Sequence, residues 1–190
     1  MSTLTIEQLQ AKLIPLIGTS MVSPKTKNKG ETGIILERLT GIPQTSNCLD
    51  CVDGELKTFP LKRDAAGRLV PKETIAVTML DRETLKDCSF AQSRPYKKMS
   101  KMLCVPYERT GDTIIYHTAV LIDLSLPQYA ELVTTLQKDY EQIQKKFVET
   151  GELSSSDGTL LQNRTKGAGH GSTSRAFYLR TDFIKKYLIL

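Results

Sequence analysis

The spacing of apolar positions changes several times along this chain. Thr5 followed by Ile6, Leu9, Leu13, Ile14 and Ile17 predicts a capped amphipathic helix that Pro15 bends or ends and Gly18 closes. The polar stretch 20–28, with Lys25 and Lys27, predicts a loop. A second helix is predicted over 30–40, burying Ile34, Ile35 and Leu39 and stopped by Gly41 and Pro43. From Glu55 the pattern shifts toward alternation, with Leu56, Phe59 and Leu61 set among Glu55, Lys57 and Thr58. Ala66-Gly67 offers a turn and 74–80 a second β-rich run, which together predict a hairpin. The runs 102–107 and 113–122 predict another strand pair around the turn Arg109-Thr110-Gly111-Asp112. Tyr129, Leu132, Val133, Leu136, Tyr140, Ile143 and Phe147 recur at helical spacing and predict the longest helix, over 127–150. A Ser/Gly-rich stretch, a short run at 159–162, a glycine-rich loop at 166–174, a strand over 176–180 and a helix from Thr181 complete the chain. This order predicts an α/β (α+β) domain in which helices flank a mixed central sheet.

A chain of 190 residues suits one domain, divided here into a catalytic lobe over 1–122 and a C-terminal lobe over 123–190. That size sustains a core without disulfides or a structural metal. With 39% hydrophobic and 25% charged residues, disordered and fibrous classes are excluded. No stretch reaches the roughly 18–20 apolar residues of a membrane span. The opening Met1-Ser2-Thr3-Leu4-Thr5-Ile6-Glu7 lacks the basic start and apolar run of a leader, so a cytoplasmic protein is expected, with Cys48, Cys51, Cys88 and Cys104 as free thiols.

The formal charge, 26 − 21 = +5, says little until it is mapped along the chain. Residues 123–157 carry three lysines against seven acids, a balance of 3 − 7 = −4, whereas 158–190 carry six basic residues against Asp182, a balance of 6 − 1 = +5. Arg94, Lys97, Lys98 and Lys101 form a second basic cluster with no acid among them. Such polarity is the electrostatic footprint of a nucleic-acid groove.

The candidate chemistry lies in Asp50-Cys51-Val52-Asp53-Gly54-Glu55-Leu56-Lys57. On a strand Glu55 and Lys57 emerge on one face while Leu56 points to the other. An Asp from the preceding turn can join the Glu in holding Mg²⁺, a hard cation that takes oxygen ligands and keeps several waters. The ion would acidify one of those waters, while the neighbouring Lys orients it or offsets charge in the transition state. By itself this pattern also arises from ordinary charge alternation on an amphipathic strand.

Its context is more specific. Lys29-Gly30-Glu31-Thr32-Gly33-Ile34-Ile35-Leu36-Glu37, then Asp50, then Gly54-Glu55-Leu56-Lys57-Thr58, resembles the opening of the MutH/Sau3AI family of DNA endonucleases. Lys98-Met99-Ser100-Lys101-Met102-Leu103-Cys104-Val105-Pro106 resembles the family's basic strand before a Val-Pro or Ile-Pro turn. Arg164-Thr165-Lys166-Gly167-Ala168 and Arg175-Ala176-Phe177-Tyr178-Leu179-Arg180 resemble its recognition segment and the strand that follows. Four blocks in the family's order cover most of the chain.

The resemblance implies a restriction-endonuclease-like core with Asp50 and Glu55 as metal ligands and Lys57 as the active-site lysine. Glu37 would project toward the same centre, and Lys29 and Lys98 would lie near the scissile phosphate. Lys101, Arg164, Lys166, Tyr178 and Arg180 would face DNA; an Arg fork suits guanine O6/N7. The family's Asp stands seven residues before the Glu, a position held here by Cys48, so Asp50 is taken as the ligand with Asp53 as the alternative.

Cys48-x-x-Cys51 has zinc-ligand spacing but lacks the two further ligands of a structural site. His117 reads as a packed or surface histidine. His170 lies in a glycine-rich loop without the Lys-Ser/Thr ending of a nucleotide-binding P-loop. The expectation is therefore a Mg²⁺-dependent endonuclease, with Mn²⁺ as a substitute, acting on double-stranded DNA. A type II restriction enzyme with a GATC-like site, cutting both strands through transient pairing of two copies, is preferred. The alternatives are a mismatch-repair nickase answering to a MutL-like partner and a non-catalytic DNA-binding module of the same fold.

Overall fold

Thr5 begins the first helix as the sequence predicts. Its hydroxyl accepts the Gln8 amide at 3.3 Å and its own amide donates to Gln8 Oε1 at 2.9 Å, a reciprocal capping box. The computed structural model describes residues 4–23, 30–43, 48–167 and 173–189. In chain order the elements are α1 (Ile6–Leu13), β1 (Ser20–Val22), α2 (Glu31–Thr40), β2 (Glu55–Arg63), β3 (Leu69–Pro71), β4 (Ile75–Met79), α3 (Arg82–Asp87), α4 (Arg94–Met99), β5 (Lys101–Thr110) and β6 (Thr113–Tyr116). They continue with β7 (Val120–Asp123), α5 (Ala130–Thr150), β8 (Leu161–Thr165), β9 (Arg175–Leu179) and α6 (Thr181–Tyr187). Short 3₁₀ turns stand at Ile14–Leu16, Phe90–Gln92 and Pro127–Tyr129.

Two compact units emerge: residues up to Glu73 with Lys101–Ile122, and Thr74–Ser100 with Asp123–Leu188. Residues 74–100, expected with the first lobe, thus cluster with C-terminal ones. In the first unit a mixed sheet runs β1-β6-β5-β2-β3, with β7 also paired to β5. β2 and β5 are parallel in the register Glu55↔Met102 to Leu61↔Glu108, whereas β1–β6, β2–β3 and β5–β6 pair antiparallel. Ile6, Leu9 and Leu13 of α1 and Leu36 of α2 pack with Leu56, Leu103, Val105, Ile114 and Tyr116 of the sheet. The predicted mixed sheet with flanking helices is therefore present.

Several local expectations change. Part of the stretch predicted as a loop forms β1, because Ser20–Val22 pair with β6, a partner that no local pattern reveals. α2 buries Thr32, Leu36 and Thr40, while Leu39 is exposed. Spacing of i, i+4, i+8 sets that face, and Thr40 can be buried because its hydroxyl donates to Leu36 O at 2.8 Å. The hairpin after β2 turns at Gly67 (φ +78°) but returns through Leu69–Pro71; the 74–80 run becomes β4 of a different sheet. The strand predicted over 113–122 divides into β6 and β7, with the His117 amide donating to Pro106 O between them.

The second unit holds the antiparallel sheet β4-β9-β8. α5 buries Leu132, Leu136, Tyr140, Ile143 and Phe147 as its spacing predicts. Tyr140 stacks on Phe177 of β9 at 5.8 Å between ring centroids. Asp139 shares this buried face, where its carboxylate accepts the amides of Thr159 (2.7 Å), Leu160 (2.7 Å) and Leu161 (2.8 Å). The helix thereby pins the start of β8.

Candidate active site

β2 begins at Glu55, and alternation sends Leu56 into the α1–α2 core while Glu55 and Lys57 take the opposite face. Glu55 is only 2% exposed. A buried carboxylate needs a charged or polar partner, and Lys57 Nζ stands 2.7 Å from Glu55 Oε1. Cys104 lies opposite Lys57 in the β5 register. Burial pushes its thiol up to about 12 against the pull of the Lys57 charge, so it is a protonated packing group. The four cysteines are all free, as expected.

Asp50 occupies the turn before the strand, where its Oδ2 accepts the Leu56 amide at 3.0 Å. β3 pairs only with Leu61–Arg63, so among the described residues the first half of β2 has a strand neighbour on its β5 side alone. Asp50, Glu55 and Lys57 are thus gathered at the first turn of one open-edged strand. Asp53 has a different setting: its Oδ1 accepts the Ile6 amide at 2.8 Å and its Oδ2 receives Lys101 Nζ at 2.8 Å. Burial raises the Asp53 carboxyl, yet the Lys101 and Ile6 hydrogen bonds outweigh it and hold the group below its ordinary range.

Glu37 sits half-buried on α2, four residues beyond Gly33 and hence on the same helical face. A Cβ at Gly33 would lie 3.3 Å from Thr58 Oγ1, so that face approaches β2. Lys29 lies outside the described residues, as does His170. Lys98 is half-buried on α4, within the second unit. Lys101, expected at DNA, is held between Asp53 and Glu7 Oε1 (2.5 Å). His117, expected to be packed or on the surface, stands by Glu108, 3.5 Å away, and Glu108 also pairs with Arg63.

The C-terminal basic residues divide into two kinds. Gln162 lies opposite Tyr178 in the β8–β9 register, which places Arg164 and Tyr178 on one face of the hairpin. The Arg164 guanidinium carbon lies 5.3 Å from the Tyr178 ring centroid, and Arg164 and Lys166 are exposed. Arg180, by contrast, donates through Nη2 to the carbonyls of Ser155 (2.7 Å) and Asp157 (3.0 Å), so it fastens a loop. Arg175, not singled out from the sequence, donates to Asn163 Oδ1 at 2.6 Å and to Asn163 O at 3.2 Å beneath the exposed face. Asp139 was equally missed, although an acid on the apolar stripe of an amphipathic helix is a readable signal.

Asp50 and Glu55 are the oxygen donors that could hold a metal. Two carboxylates suit a Mg²⁺-like ion, which fills its remaining positions with water and substrate phosphate. Among the described residues no group of three or more His, Cys, Asp or Glu side chains is placed to hold a metal ion together, so Glu37 does not complete such a group with Asp50 and Glu55. No helix among them is long and apolar enough to cross a membrane.

Comparison with known proteins adds three findings. No curated protein matches the chain. A solved structure titled "Restriction endonuclease MvaI-cognate DNA substrate complex" superposes with a TM-score of 0.49 at 12% identity, covering 97% of each chain. The sequence profile described as "DNA mismatch repair enzyme MutH" matches residues 45–145, more than half of the 190 residues and a stretch that includes Asp50, Glu55 and Lys57. The chain belongs to the MutH family.

Proposed function

We propose that this MutH-family chain is a Mg²⁺-dependent, sequence-specific endonuclease that hydrolyses phosphodiester bonds in double-stranded DNA, with restriction-type cleavage at a GATC-like site. One observation carries the reading: a buried Glu55 with Lys57 Nζ 2.7 Å away, beside Asp50 at the start of β2. Asp50 and Glu55 would hold the ion, and Mn²⁺ could replace it because its ligand preferences are alike. When bound, the ion supplies an acidified water and offsets charge on the phosphoryl oxygens. Lys57 places its ammonium at the Glu55 carboxylate, where it can orient the attacking water and stabilise the charge that develops on phosphate. Glu37 presents a further acid from the α2 face nearest β2, and Lys29 and Lys98 contribute positive charge near the scissile phosphate, as the family resemblance implies.

Base readout would fall to the β8–β9 hairpin. Tyr178 supports the Arg164 guanidinium from below, and a fork held in this way is suited to a guanine edge. Lys166 adds a phosphate contact at the end of β8. The lysine and arginine that the structure engages elsewhere, Lys101 and Arg180, keep the scaffold in place.

Two branches of the family predict different products. The block Thr165-Lys166-Gly167-Ala168 followed by Arg175-Ala176-Phe177 favours the restriction branch, with two copies pairing transiently to cut both strands. The match to a profile named for a repair enzyme favours a nickase that would answer to a MutL-like partner. Incubating supercoiled plasmid with Mg²⁺ separates them: linear product supports restriction, whereas open circles alone support nicking. Glu55→Ala and Lys57→Ala should each reduce cleavage by about a thousandfold or more while DNA retardation on gels persists. Cleavage that survives in both variants would refute the catalytic assignment.

A further inference from the structure

The turn 50–55 presents Asp50 beside the start of β2, and the Cys51 amide donates to Gly54 O across it at 2.9 Å. It is also attached to the start of α1 and to Lys101. The Val52 amide donates to Leu4 O at 3.0 Å, and the Ile6 amide donates to Asp53 Oδ1 at 2.8 Å. Lys101 Nζ bridges Asp53 Oδ2 (2.8 Å) and Glu7 Oε1 (2.5 Å) with its side chain only 19% exposed. Gly54 closes the gap: a Cβ there would lie 2.9 Å from Ile6 Cβ and 3.0 Å from Lys101 O. Lys101 directly precedes Met102, the residue opposite Glu55 in the parallel register. One ammonium therefore links a helix acid, a turn acid and the strand that neighbours the site.

We propose that Lys101 is a positioning residue for the metal-binding pair: by tying Asp53 to Glu7 it fixes the turn that presents Asp50 beside Glu55. The proposal rests on the reading of Asp50 and Glu55 given above. It also replaces the DNA contact that the sequence suggested for Lys101, because a phosphate would have to compete with two carboxylates already in place. Asp53 is then the turn's anchor and not an alternative ligand. Loss of such an outer support typically costs about 10–100-fold in metal affinity or activity.

Lys101→Met, Lys101→Arg, Asp53→Asn and the double variant K101M/D53N test this in the full chain. The Mg²⁺ concentration for half-maximal cleavage should rise about 10–100-fold in Lys101→Met. Asp53→Asn should shift it in the same direction, and the double variant no further than the worse single one. Lys101→Arg should restore most of the response, and metal-free DNA retardation should stay within about twofold of the parent. A second readout needs no catalysis: in Lys101→Met, hydrogen exchange at the Val52 and Leu56 amides should accelerate about tenfold or more, with the β8 and β9 amides unchanged.

The proposal is overturned if Lys101→Met weakens metal-free DNA binding and lowers its salt slope by about one while Asp53→Asn behaves as the parent, the pattern of a phosphate contact. It is overturned equally if the Val52 and Leu56 amides keep their parental protection. A parent protein that cleaves no DNA with Mg²⁺ would defeat the endonuclease reading, and the exchange rates would still decide whether Lys101 holds the turn. Cleavage that is lost in Glu55→Ala but keeps its Mg²⁺ dependence in Lys101→Met would defeat the positioning role alone.

Discussion

Asp139 offers a stability test whose size follows from counting the amides it satisfies. Its side chain, on a residue 3% exposed, accepts three successive backbone N–H groups at 2.7, 2.7 and 2.8 Å. Replacement by Ala strands the two fully buried donors, Leu160 and Leu161, at about 1–3 kcal/mol each, while the partly buried Thr159 amide regains water. Relief of the buried charge offsets part of that, so Asp139→Ala should cost about 3–4 kcal/mol. Asp139→Asn keeps one oxygen for Leu160 and Leu161 and sets its NH₂ against the Thr159 amide, for about 1–2 kcal/mol. Urea unfolding followed by circular dichroism measures both, and thermal melts should fall by roughly 10 °C for the Ala variant. If Asp139→Ala lies within about 1 kcal/mol of the parent, the amides are being rehydrated and the anchoring argument is wrong. The same network forbids a side chain at Gly158, whose φ is +77° and whose Cβ would meet Leu161 O at 1.9 Å.

Two other substitutions probe function and the turn. Arg164→Ala should cost about 1–3 kcal/mol in binding to cognate DNA and relax preference at one base, whereas Lys166→Ala should weaken all sequences alike and lower the salt slope by about one; titrations on cognate and random duplexes at several salt concentrations distinguish these. Gly54→Ala should destabilise the protein by about 1–3 kcal/mol, since Ile6 and a strand carbonyl already occupy the space, and a thermal melt equal to the parent's would contradict that packing.

How much was legible beforehand depended on the range of the interaction responsible. The caps of α1, the αL glycine ending α2, the buried stripe of α5 and the turn at Gly111 are local, and each was read from neighbouring residues. The strand β1 and the destination of 74–80 were not legible, because each is decided by a partner distant in sequence. Within the site, alternation alone put Glu55 and Lys57 on one face. The partners of Asp50 and Asp53 were not legible in advance: Asp50 bonds the amide of the strand itself, while Asp53 bonds α1 and Lys101.

Basic residues show the division most clearly. Their number and order along the chain revealed a polarised molecule, since composition needs no coordinates. What each ammonium or guanidinium touches is a separate matter that composition does not reveal. Arg164 and Lys166 are exposed, and Arg164 donates to Thr74 Oγ1 at 3.4 Å, while Lys101 is held by two carboxylates and Arg180 by two carbonyls. By itself the sequence determined the buried stripe of α5, the Glu-x-Lys strand and the family resemblance, because these depend on residue type and spacing. Only the tertiary structure decided the sheet partners and sorted the cations, because pairing energies depend on distances between residues far apart in the chain.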